Sequence, residues 1–97
     1  MKELDWFVEK LVEQGVQVDK ERISTEANEL YIEDIDVSLI PQADRAGLPR
    51  SLNFETMLYE DIEGIEWIGA VALNLNNRQW KYLIIIKDGE PILRRRL

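Results

Sequence analysis

The stretch Ile65–Leu97, IEWIGAVALNLNNRQWKYLIIIKDGEPILRRRL, decides the fold. Two dipeptides punctuate it, Asn76-Asn77 and Asp88-Gly89. Both suit type I′ turns, whose central residues need positive φ. They divide the stretch into strands over 65–75, 78–87 and 90–97. Reading each as a two-residue loop sets a register. One face then carries Trp67, Gly69, Val71 and Leu73 beside Ile86, Ile84, Tyr82 and Trp80, with Pro91, Leu93, Arg95 and Leu97 on the third strand. On the other face Glu66, Lys87 and Glu90 form a ladder of alternating charge, as cross-strand pairing favours. That second face also holds Ile68, Ala70, Leu83, Ile85 and Ile92. An apolar stripe of this size is seldom bare on a soluble monomer, so the middle of the chain or a second copy must cover it.

Working outward, residues 2–14 read as a helix. Leu4, Phe7, Val8, Leu11 and Val12 follow the spacing of one apolar stripe, with Trp6 at its edge. Gly15 is placed to end it. Residues 16–29 fit both periods, and a hairpin turning near Ala27-Asn28 is the preferred reading. Leu30–Ile40 reads as a strand whose alternation changes phase at a bulge near Glu33-Asp34. Pro41–Ser51 is a loop, and 52–62 fits two templates: a strand alternating Leu52, Phe54 and Leu58, or the preferred helix built on Phe54, Met57, Leu58 and Ile62 and N-capped by Ser51. The expected fold is a single α+β domain over 1–97, with an N-terminal helix packed on an antiparallel sheet that ends in a three-stranded C-terminal meander.

Composition bounds the chemistry. The chain has 97 residues, 45% of them hydrophobic, with a net charge of −7 and neither cysteine nor histidine. Disulfides, thiolate nucleophiles and the usual imidazole bases and zinc ligands are therefore excluded. A small domain without such staples suits a reducing cytosol, and Lys2, Glu3 and Asp5 do not resemble a secretory signal. The expected location is cytoplasmic, away from membranes. No glycine-rich phosphate loop is present, Ser24, Ser38 and Ser51 have no histidine to activate them, and no cofactor is expected.

Charge is uneven. Residues 1–66 hold 17 acidic against 6 basic side chains, and residues 67–97 hold 2 against 6. In the register above Lys81 lies opposite Arg96, with Arg94 beside them. That like-charge pairing would favour an anion or an acidic partner, or it guards a sheet edge against aggregation. Acidic clusters occur at Glu33, Asp34 and Asp36, and at Glu60, Asp61, Glu63 and Glu66. Asp34 and Asp36 on one strand face could hold a divalent cation, although no calcium-loop motif accompanies them. Solvated surface, or a patch that copies nucleic-acid charge, is the alternative.

In size and charge, and in no motif, the chain resembles the small acidic inhibitors, immunity proteins and antitoxins of phages and bacteria. The resemblance implies a non-enzymatic module that occupies a basic surface on a nucleic-acid-handling protein. The partner-binding candidates are Glu33, Asp34, Asp36, Glu60, Asp61, Glu63, Lys81, Arg94 and Arg96. Competing readings are a nucleic-acid or anion binder working through the basic C-terminal edge, an assembly subunit using its second sheet face as a homo-oligomer interface, and, last, a carboxylate-metal enzyme.

Overall fold

The computed structural model describes all residues, Met1–Leu97. Helix α1 (Lys2–Glu13) is followed by five strands: β1 (Ser24–Tyr31), β2 (Ser51–Glu60), β3 (Glu66–Leu73), β4 (Trp80–Lys87) and β5 (Glu90–Arg96). Each strand pairs antiparallel with its chain neighbour, in the order β1-β2-β3-β4-β5. This is the α+β fold with a C-terminal meander that the sequence implies. No helix is long and apolar enough to cross a membrane.

Helix α1 ends in a Schellman motif. The N–H of Gly15 donates to the Val12 carbonyl and that of Val16 to the Leu11 carbonyl, with Gly15 at φ 80°. Its buried side chains are Glu3, Trp6, Phe7 and Leu11. The face is therefore rotated from the expected stripe: Trp6 enters the core and Val12 is 59% exposed. Tryptophan contacts explain the rotation. Trp6 meets Trp80 edge-on with ring centroids 6.3 Å apart, and the Trp80 indole donates to the Glu3 carboxylate at 2.9 Å.

The Asp88-Gly89 turn is as expected, both residues at positive φ with Lys87 opposite Glu90. The other turn is longer. Asn74 pairs with Gln79 around the loop 75–78, and Arg78, not the asparagines, takes positive φ. Leu73 still faces Trp80, but the register then slips, so Ala72 faces Tyr82 and Trp67 faces Lys87. Lys81 is the extra residue of this bulge. A second bulge makes Ile92 the extra residue between Pro91, opposite Ile86, and Leu93, opposite Ile85.

These slips correct the expected faces of β4. Leu83 and Ile85 join Trp67, Val71 and Leu73 beneath α1. Tyr82 and Ile84 lie on the other face with Phe54, Ala70 and Ala72. Arg96 faces Tyr82, not Lys81, and Glu66 stands outside the Lys87–Glu90 pair. The Lys87 ammonium instead lies 5.2 Å from the centre of the Trp67 ring.

The middle of the chain departs furthest from expectation. Residues 52–62 are not a helix: 51–60 form β2, central enough to pair on both sides. No hairpin turns at Ala27-Asn28, which lie inside β1. The segment 30–40 is not a strand beyond Tyr31. It breaks into a short 3₁₀ turn over Ile32–Asp34 and runs on irregularly to a second over Gln42–Asp44. This segment is the cover of the second sheet face: Ile40 is fully buried, and Ile32, Ile35, Leu39 and Leu48 pack around it.

Candidate functional site

An irregular cover must satisfy its own carbonyls. Arg45 does most of this, donating to the carbonyls of Ile40 and Ile32 at 2.9 Å each and of Ile35 at 2.5 Å. From β5, Arg94 donates to the Ser38 carbonyl at 3.0 Å, and Arg96 donates to those of Asp44 and Ala46. Tyr82, fully buried, donates its phenol O–H to the Asp44 carboxylate at 2.5 Å. Burial first, and Asp44 second, push that phenol well above its ordinary pKa. Arg94 and Arg96 therefore fasten the cover to the last strand. Lys81 is set apart from them at its bulge, where its carbonyl accepts the Leu97 N–H.

The two acidic clusters lie at opposite ends of the sheet. Asp34 and Asp36 do not share a strand face, because the chain leaves the sheet at Ile32. Asp36 accepts the Ser38 N–H at 2.8 Å, a local turn whose backbone bond lowers its pKa. Asp61 organises the β2–β3 turn, accepting from the Glu63 and Ile65 amides and from the Trp67 indole at 2.9 Å. The indole bond is the main cause of its lowered pKa. Glu33, Asp34, Glu60 and Glu63 are exposed. Nowhere do three carboxylates converge as a metal site would require.

Between these clusters runs β1, which the sequence pattern divides between a hairpin over 16–29 and a strand over 30–40. All eight of its residues are exposed. The N–H of Ile32 donates to the Arg50 carbonyl, continuing the β1–β2 ladder, so even-numbered residues bond to β2. The N–H and C=O groups of Thr25, Ala27, Glu29 and Tyr31 therefore point away from the sheet, with no partner in the chain. The strand carries Glu26 on one face and Glu29 on the other, with Glu21 before it and Glu33 and Asp34 after it. None of these carboxylates is in an ion pair: the three pairs present join Lys10 to Glu13, Lys20 to Asp5 and Arg78 to Glu55.

The two sheet edges differ in kind. The β5 edge has Pro91, a bulge at Ile92 and three successive arginines, all devices that blunt pairing. The β1 edge has neither proline, bulge nor lysine. Beside it, on the face the cover only partly reaches, a groove of about 420 Å³ is lined by Ser24, Glu26, Thr56, Leu58 and Ile68 among others. The lack of proline and lysine along STEANELY, whose only charged residues are Glu26 and Glu29, is the signal that could have marked this edge in the sequence.

Comparison with family models, with curated proteins and with solved structures finds no match to this chain.

Proposed function

We propose that the protein is a non-catalytic binding module whose acidic surface occupies a basic surface on a protein partner, of the kind that nucleic-acid-handling proteins present. One observation carries this reading. The carboxylates from Glu21 to Asp34 are exposed and unpaired along β1, while Arg45, Arg94 and Arg96 donate hydrogen bonds to carbonyls of the cover. The acidic side of the molecule is thus free to meet external cations. Glu60 and Glu63 extend the acidic surface at the far end of β2.

The competing anion-binding reading has fewer donors to use, because one guanidinium nitrogen of Arg94 and one of Arg96 already hold carbonyls of the cover. An interface on the second sheet face would compete with the cover already seated there.

Capture from lysate of the native host at low salt tests the proposal, comparing wild type with a variant carrying Glu26→Gln, Glu29→Gln, Glu33→Gln and Asp34→Asn. Captured proteins should be basic, should be released by salt and should be absent from the variant's eluate, as screened charge contacts require. Equal capture by both proteins would remove β1 and its flanks from the function.

A further inference from the structure

We infer that the free edge of β1 accepts an extended basic segment of the partner as a sixth strand. This rests on the reading of β1 as part of the binding surface, and it adds the mode of recognition.

Main-chain geometry comes first. Thr25, Ala27, Glu29 and Tyr31 present alternating donors and acceptors along one unbulged edge. A strand added there completes the ladder, which is how β-augmentation gains affinity. The chain bounds the edge at both ends. A 3₁₀ turn at Lys20–Arg22 precedes it, and another at Ile32–Asp34 turns the backbone away after it. The site is thus the length of one short strand.

Charge then selects the occupant. Glu26 and Glu29 stand on opposite faces of β1, so an added strand meets a carboxylate whichever way its side chains alternate. Lysine or arginine at those positions makes favourable cross-strand pairs. A second copy of β1 would bring its own glutamates into the same joint, so like charge disfavours self-pairing. The groove over Leu58 and Ile68, next to Ser24, leaves room for an apolar side chain of the incoming strand beyond a small residue. The matching sequence therefore alternates basic and apolar residues.

The probe is a capped synthetic peptide of alternating lysine and valine, as long as β1, titrated into the full chain at low salt. Binding should slow hydrogen exchange at the amides of Thr25, Ala27, Glu29 and Tyr31, the four outward N–H groups, and little elsewhere. Ala27→Pro removes one outward N–H and no bond to β2, so it should weaken binding about tenfold without lowering the melting temperature. N-methylation of alternate peptide amides should abolish binding to the wild-type chain, which keeps the test informative if the proline variant unfolds.

Other outcomes overturn the inference in different ways. If the N-methylated peptide binds as well as its parent while Glu26→Gln and Glu29→Gln weaken both, the acidic surface is real and strand addition is wrong. If the lysine–valine peptide fails to bind at low salt, both readings fall. If wild type sediments as a dimer that Ala27→Pro makes monomeric, the edge belongs to a second copy.

Discussion

The ring of Phe7 lies directly on Gly69: a Cβ built on that glycine would stand 2.4 Å from Cδ1 of the ring. Helix α1 can approach β3 this closely only because position 69 has no side chain. Phe7 is fully buried and its ring edge occupies the space, so Gly69→Ala should lift the helix and cost about 1–3 kcal/mol, the usual range for overpacking. Phe7→Ala should cost about 3–5 kcal/mol through the cavity it leaves. Chemical denaturation of both variants checks this. Melting curves that coincide with wild type would mean that α1 does not pack here.

Arg45→Ala should loosen the cover. It removes three donors from the carbonyls of Ile32, Ile35 and Ile40, and a loss of about 2–3 kcal/mol is expected from bonds to a charged donor. Amides between 32 and 48 should exchange faster while those of β3 and β4 keep their order of protection. Uniform acceleration across the sheet would contradict a local role.

Replacing Arg94 and Arg96 together by Gln should have a similar, smaller effect, read by protease cutting near Ala46. If an acidic ligand lost affinity with no change in cutting, these arginines would be a binding site and not a fastening.

Tyr82 gives the fold an alkaline limit. Its phenol pKa is raised in the folded state, so the folded chain holds this proton more tightly than the unfolded chain. The stabilisation is complete below about pH 10, the unfolded value, and is lost as pH rises from there towards the folded value. Thermal melts from neutral to strongly alkaline pH should show this decline in wild type, and Tyr82→Phe should flatten it. Parallel curves would place the alkaline transition elsewhere.

Asp61 acts at the other extreme. Its carboxylate is held below the ordinary range chiefly by the Trp67 indole, so its contribution is present above about pH 4 and falls away on acidification. Asp61→Asn keeps an acceptor for the turn amides but presents an N–H donor to the indole if its oxygen faces the backbone. The variant should lose part of the acid-sensitive stability and shift Trp67 fluorescence. An unchanged spectrum would argue against the indole bond.

What was legible in the sequence follows from which faces are buried. The helix, the meander and the Asp88-Gly89 turn stand out because each has a distinct period or a turn residue with one conformational role. The bulge at Lys81 was hidden because Tyr82–Ile86 is apolar at every position, so either phase buries a complete set. Strand β2 imitated a helix for a related reason. Leu52 and Phe54 are buried under the cover, and Met57 and Tyr59 under α1 on the opposite face. The change of face puts Phe54 and Met57 three residues apart, a helical spacing. In β1 neither face is buried, so no apolar period existed to be read. Arg45 went unnoticed because carbonyls exposed by an irregular backbone leave no trace in composition.

The arginines of β5 also order the events of folding. From β2 onward each strand pairs with its predecessor across a short loop, so that part of the sheet can assemble hairpin by hairpin, whereas β1 reaches β2 only across the long segment 32–50. The bonds from Arg94 to Ser38 and from Arg96 to Asp44 and Ala46 instead span 50 to 56 residues. On a ribosome, the segment 32–50 emerges long before the strand that fastens it. Until β5 has been made, Ile35, Leu39 and Ile40 lack this anchorage, and the nascent chain has an interval in which a chaperone can engage them.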